Sequence, residues 1–382
     1  MKNKTVANSI LILFSILIIS ASCEKQKAEW KGKIEVEDGV TVVKNPKEPI
    51  YDENIFNLEE ELTIRGEEGK EEQMFMNIIS IDVSEDGTIY ILDGKAANIK
   101  VFDSSGGFLK TIGKRGQGPG EFGRPESFSI TPQDEIAVND PGRRSIQFLD
   151  MDGNFLRQIP VNQPFFTGPR FISSGDMIAS YAIFGEEFKV VLEKLDNKLK
   201  PILIFATIPM LKIPKVHIFL YQFVYDLRWD VTNEDEIIWG ALTTPEYELY
   251  IHNKDGKLVR KITKEYDPIE ITKTEYEKMM KEWFGRVPTS DRFEFIIPKN
   301  YPPFHTFILD DEGRIFVKRF EGIEQSKRIY AEVFDPQGRY ITDIIFPINK
   351  LPGLFKKGKL YTIEEDEEGF RVVKRYKVKW NR

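Results

Sequence analysis

At 382 residues, 41% hydrophobic and 30% charged, the chain has the make-up of a globular protein. Its length would fill two or three ordinary domains unless it repeats. Net charge is −7 and no basic block or basic–aromatic stripe is present, which argues against nucleic acid as a partner, because phosphate binding needs clustered Lys and Arg.

Residues 1–22 stand apart. Lys2 and Lys4 form a positive start, and Ile10–Ile19 is almost continuously apolar, the length of a signal-peptide core and too short to span a bilayer. Ser20-Ala21-Ser22-Cys23 follows. Small residues before a cysteine resemble a lipobox, in which Cys23 is diacylated and becomes the mature N-terminus; Ser20 stands where leucine is usual. The alternative is a plain signal peptide with an incidental cysteine. Cys23 is the only cysteine, so no internal disulfide is expected. The expected location is outside the cytoplasm, with the acyl anchor in a bacterial membrane and the body on its periplasmic or cell-surface face. Residues 23–57 are charged and broken by prolines and glycines, and read as a tether.

Two hairpin signatures then alternate through residues 58–382. The first is apolar strand, turn, apolar strand. It reads SIDVSEDGTIYILD at 80–93 and SFSITPQDEIAVND at 127–140, with weaker copies beginning at Arg170, Trp229, Thr306 and Gly353. Its turn residues are Gly87, Asp134, Gly175, Asp235, Gly313 and Gly358, separated by 47, 41, 60, 78 and 45 positions. Three of those intervals match the roughly 40–50 residues of a propeller blade, and the two long ones contain insertions near 203–225 and 264–304. The second signature follows the first five copies, as in FDSSGGFLKTI at 102–112 and FDPQGRYITDI at 334–344. Asp, Asn and Gly supply the positive φ of tight hairpins. Alternating apolar residues supply the strand period. Each repeat is thus a four-stranded antiparallel blade.

The sixth copy ends at Trp380 one strand short, and ELTIRGEEGKEEQMF at 61–75 resembles the fourth strand and exit loop of the first blade. The expected fold is all-β: a six-bladed β-propeller whose last blade is closed by an N-terminal strand, with a partly helical insertion at 264–304. Closure would bury an edge that otherwise invites aggregation. A pair of β-sandwiches is the competing architecture.

The segment DGKAANIKVFDSSGGFLKTIGKRGQGPGEF at 93–122 resembles the six-bladed NHL-type propeller lipoproteins of Bacteroidetes and related bacteria. Asn45-Pro46 and the N-terminal strand fit the same pattern. The resemblance implies a fold and a compartment but no activity.

Within the second insertion, ITKTEYEKMMKEWFGR at 271–286 has apolar residues at helical spacing, with Thr272 or Thr274 as N-cap. It reads as a helix on the propeller rim. The first insertion is too short and too proline-broken for a membrane span.

Catalytic signatures are missing. His217, His252 and His305 lie far apart, in no zinc-ligand spacing, and no nucleophile elbow occurs. No cofactor or metal site is expected. The glycine-rich 113–120 loop lacks the GK[S/T] ending of a phosphate loop and reads as an inter-blade loop. Asp93, Asp140 and Asp310 sit at strand ends; Asp93 and Asp140 occupy equivalent positions, which favours structural turn caps over ligands for a channel cation. The best candidate binding surface is the channel mouth reached by loops entering each innermost strand: Arg124, Glu126, Arg170, Asp226, Arg228 and His305. Their mixed charge suits a polar ligand, a glycan, a peptide or an envelope protein. A non-enzymatic binding or scaffold module is the expected function. A metal-dependent hydrolase or lactonase of the six-bladed type is the alternative.

Overall fold

The computed structural model describes residues 29–380 apart from 52–54, 67–68, 71–72, 165, 185–188, 210–226, 285–298, 321–328 and 347–352. Cys23, Asp226 and His217 lie outside the described residues.

Three strands come first: β1 (Lys33–Glu37), β2 (Val40–Asn45) and β3 (Phe56–Ile64). Blade 1 is β4 (Ile78–Val83), β5 (Ile89–Asp93), β6 (Asn98–Phe102) and β7 (Phe108–Ile112). Blade 2 is β8 (Ser127–Ile130), β9 (Glu135–Asp140), β10 (Ser145–Asp150) and β11 (Phe155–Pro160). Blade 3 is β12 (Arg170–Phe171), β13 (Met177–Ile183), β14 (Lys189–Leu195) and β15 (Pro201–Pro209). Blade 4 is β16 (Leu227–Val231), β17 (Ile237–Ala241), β18 (Glu248–His252) and β19 (Leu258–Lys264). Blade 5 is β20 (Thr306–Leu309), β21 (Ile315–Lys318), β22 (Ile329–Phe334) and β23 (Tyr340–Phe346). Blade 6 takes β24 (Leu354–Lys356), β25 (Lys359–Glu365) and β26 (Arg371–Trp380) from the C-terminus and β3 from the N-terminus. The fold is the expected six-bladed propeller, and β3 runs antiparallel to β26 from Phe56↔Trp380 to Ile64↔Val373.

Every turn residue singled out in the first signature has positive φ, from Asp134 at 56° to Gly87 at 90°. The second signature is equally regular. In blades 1–5 the first turn residue (Asp103, Asp150, Asp196, Asn253, Asp335) accepts backbone N–H bonds two and four residues on, at 2.8–3.2 Å. An Asx turn thus closes each outer hairpin, which is why one residue type recurs there.

No single core exists. Six apolar clusters fill the six gaps between neighbouring blades, from Leu92 and Phe128 between blades 1 and 2 round to Tyr361, Val373 and Ile78 between blades 6 and 1. The second strands of the blades are packed on both faces, so β5 is buried along its whole length and reads as an unbroken apolar run.

Two expectations need correction. Residues 33–45, expected within a tether, form a hairpin. β2 pairs in parallel with β19 and turns blade 4 into a six-stranded sheet. Asn45 fixes it: its side chain donates to the carbonyls of Thr263 and Gly338, and accepts from Tyr340 N–H and the Trp30 indole. The physical cause of the docking is visible in Val42 and Val43, which are buried, while β1 stays exposed and charged and so hides the pattern. Ile50 and Tyr51 then bond to the blade 5 edge at Tyr340 and Ile341, carrying the chain to blade 6. The first insertion also starts later than expected, because 201–209 is the fourth strand of blade 3.

The expected helix is α1 (Lys273–Phe284). Thr272 caps it: its hydroxyl accepts Glu275 N–H at 3.2 Å, and the Glu275 carboxylate accepts Thr272 N–H at 2.9 Å, a reciprocal capping box. No helix among the described residues is long and apolar enough to cross a membrane.

Candidate functional site

The innermost strands line a central channel. Its lower part, at the turns leaving those strands, is a cavity of about 420 Å³ that reaches all six blades. Its upper part, about 280 Å³, is lined by Ser127, Thr167, Arg170, Leu227, Arg228 and Trp229. Arg170 belongs to both and joins them.

One repeat position supplies most of the channel chemistry. Five residues before the turn residue stand Asp82, Ser129, Arg170 and Asp230 in blades 1–4, and all four line the lower cavity. Strand alternation aims this position at the axis. Asp230 accepts Arg170 Nε at 3.3 Å, with the Arg170 side chain still 54% exposed and Asp230 21%. Asp82 accepts the backbone N–H of Ile130 at 2.7 Å and of Val83 at 2.8 Å. Desolvation in the narrow channel pushes the Asp82 carboxyl above the usual range, against those two hydrogen bonds. The lower channel therefore offers the half-exposed Arg170 guanidinium flanked by carboxylates.

The turns around the lower mouth are laced together. Ser173 N–H donates to Asp235, Asn233 to the Asp311 carbonyl, and Gly358 N–H to Asp311; Lys356 pairs with Glu85 at 3.1 Å. These contacts tie blades 3, 4, 5, 6 and 1 in sequence and hold the channel wall in a fixed geometry.

The residues expected at the mouth divide. Arg170 and Arg228 share the upper cavity. Arg228 Nε donates to the His305 carbonyl at 2.9 Å, so His305 braces the wall through its backbone. The His305 ring packs near Phe320, centroids 5.2 Å apart, and burial with nearby Lys318 and Arg228 lowers its pKa to about 4. It is a neutral, packed imidazole. Arg124 and Glu126 pair with each other at 3.2 Å on the blade 1–2 connection and line neither cavity. Asp82, Ser129 and Asp230 escaped the sequence reading. Their signal was a polar residue inside an otherwise apolar innermost strand, at one fixed distance from the turn.

The strand-end aspartates are clamps. Asp93, fully buried, accepts four backbone N–H groups: Met76 at 2.5 Å, Asn77 at 3.0 Å, Lys95 at 3.1 Å and Ala96 at 2.9 Å. Asp140 does the same for Gly123, Arg124 and Arg143. Each joins its own turn to the loop entering the same blade. Asp310 caps its hairpin through the N–H groups of Glu312 and Arg314. The glycine-rich loop is likewise self-braced: Glu121 accepts Gly118 N–H, and Arg143 bonds the carbonyls of Gly118 and Glu121. Gly113, at φ 73°, is required there, since a Cβ would lie 2.3 Å from the buried Phe122 ring. Among the described residues no three His, Cys, Asp or Glu side chains converge as a metal-ligand group.

Residues 68–169 match the family model DUF5128, described as a 6-bladed beta-propeller. No curated protein matches the chain. Solved structures are similar in fold. An exported-class protein from Bacteroides fragilis NCTC 9343 aligns at 14% identity and TM-score 0.55, over 90% of this chain and 100% of its own. A duf4221-family member from Bacteroides vulgatus aligns at 13% and 0.49, over 86% and 100%. A gluconolactonase from Xanthomonas campestris aligns at 12% and 0.44, over 84% and 89%.

Proposed function

We propose that the protein is an exported, lipid-anchored propeller of the NHL type that binds a polar ligand through its central channel, without catalysing a reaction on it. The observation that carries this reading is the channel ring itself: Asp82, Ser129, Arg170 and Asp230 place mixed charge at one repeat position around a walled cavity. Its carboxylates are already engaged, Asp82 by backbone amides and Asp230 by Arg170 and Val231 N–H. That arrangement suits a ligand with both donor and acceptor groups, such as a glycan, a peptide or a segment of a partner protein.

The test is a thermal-shift screen of the mature protein with oligosaccharides, peptides and the divalent cations calcium, magnesium and zinc. A polar organic ligand is expected to raise the melting temperature, and Arg170→Ala to abolish the shift while the apo protein melts almost as before, because a half-exposed ion pair contributes little to stability. A large shift with a divalent cation, together with metal in elemental analysis, would favour the metal-dependent hydrolase reading instead.

Anchoring rests on the apolar Ile10–Ile19 run and the small residues before Cys23. Diacylation supplies the two chains that stable attachment needs. Mass spectrometry of the mature N-terminus is expected to find acylated Cys23; an unmodified N-terminus at another residue would refute it.

A further inference from the structure

The six-stranded sheet that the N-terminal hairpin makes of blade 4 ends at β1 in an open edge. All of β1 is exposed, and among the described residues no strand pairs with its outer side. Other outer strands are guarded, as sheet edges usually are. Pro160 ends β11, Pro201 and Pro209 bracket β15, and Ile50 and Tyr51 bond to the start of β23. β1 has no proline, and its register with β2 is unbroken.

The hairpin decides which groups this edge offers. Asp38 and Gly39, at φ 50° and 80°, form a two-residue turn of the type I′ class. Glu37 and Val40 close it as a hydrogen-bonded pair, so alternation makes Glu35↔Val42 and Lys33↔Lys44 the next such pairs. The backbone N–H and C=O groups of Ile34 and Val36 therefore point outward. Their side chains share one face of the strand and are 53% and 73% exposed. The opposite face carries Lys33, Glu35 and Glu37. Lys44 pairs with Glu35 at 2.5 Å and with Glu37 at 2.7 Å, whereas Lys33 has no ion-pair partner among the described residues.

We infer that β1 is a self-association strand: two copies of the chain pair their β1 edges antiparallel, about a two-fold axis at Glu35. The register that uses the outward groups of both residues sets Ile34 opposite Val36 of the second copy. It packs the exposed apolar side chains of the two copies together and sets Lys33 opposite Glu37 of the second copy, twice by symmetry. Each copy brings Lys33 and Lys44 against Glu35 and Glu37, so the seam carries no net charge. So short a strand buries less than the roughly 1,000 Å² of a stable interface, and association in solution is weak. Lys33 follows Cys23 by ten positions. On the anchoring reading above, acylated chains hold these edges close to one membrane, where confinement raises their effective concentration.

The experiment uses the chain from residue 23 onward with Cys23→Ser, which leaves no thiol of its own. Sedimentation equilibrium is expected to show monomer and dimer in exchange, with a Kd of about 10 µM to 1 mM, as befits a small transient interface. Val36→Lys, at an exposed position, is expected to weaken the dimer by about tenfold or more while the melting temperature stays the same. Glu35→Gln removes a like-charged pair on the axis and is expected to tighten it several-fold. Mild oxidation reads the register. Glu35 meets its own copy as a non-hydrogen-bonded pair, with Cα atoms about 4.5 Å apart and within disulfide reach. Glu35→Cys is therefore expected to form disulfide dimers. Lys33→Cys and Glu37→Cys are each expected to stay monomeric alone and to cross-link when mixed. Dimerisation unchanged by Val36→Lys would overturn the assignment. So would a chain that stays monomeric to about 1 mM with no preferred Glu35→Cys cross-link, and that result would leave the edge to a strand of another protein.

Discussion

Asp93→Ala is expected to destabilise the propeller by about 4 kcal/mol, read as a shift in its denaturant midpoint with unchanged slope. Asp93 is fully buried and accepts backbone N–H groups from two separate segments, 76–77 before its blade and 95–96 in the turn after its strand. Hydrogen bonds to a charged acceptor are the strong kind, and removing the acceptor leaves donors unsatisfied rather than merely unpaired. Three of the four bonds converge on Oδ1, so Asp93→Asn preserves those and turns its amide toward Met76 N–H. It is expected to fall between wild type and Asp93→Ala. A loss of under about 1 kcal/mol for Asp93→Ala would contradict the clamp, since it is what an ordinary surface change costs.

That clamp is legible in the sequence because it repeats. Asp93 and Asp140 occupy equivalent positions, and so do the six turn residues, every one of which has positive φ. Repetition converts weak local signals into a fold, since a blade cannot bury its faces without neighbours. The element of the fold that escaped was unrepeated. The β1–β2 hairpin occurs once, and its Asp38-Gly39 turn, both residues at positive φ, was a usable hairpin mark lost among charged residues. The channel site was half legible. Arg170 and Arg228 were found by reasoning about which loops approach the axis. Asp82 and Asp230 needed the strand period carried through to the innermost strand, where the alternate residue faces the channel and not a neighbouring blade. The buried Lys264–Glu332 pair between blades 4 and 5, 3.2 Å apart, had no sequence signal at all. Lys264, Arg319 and Glu332 come from a strand end, a loop and a mid-strand position that only the docking of two blades brings together.

The channel depends on the ring being closed by β3. β3 adds its whole length to β26 and buries Phe56 against Phe316, Phe346 and Trp380, with ring centroids 5.1–5.9 Å apart. Ile64 seals the gap between blades 6 and 1. Glu60 and Glu61 pair with Lys374 and Lys359 across the same seam. Losing one buried Phe already costs about 3–5 kcal/mol. Losing the strand also exposes β26 as a ten-residue open edge. The decisive measurement compares two truncations by thermal unfolding, one beginning at residue 46 and one at residue 66. The first removes only the hairpin arm and is expected to unfold cooperatively, at a somewhat lower temperature than the full chain. The second removes β3 and is expected to lose the cooperative transition or to aggregate, with blades 6 and 1 no longer joined. A chain beginning at residue 66 that melts in one sharp transition at the temperature of the first would contradict closure by the N-terminal strand.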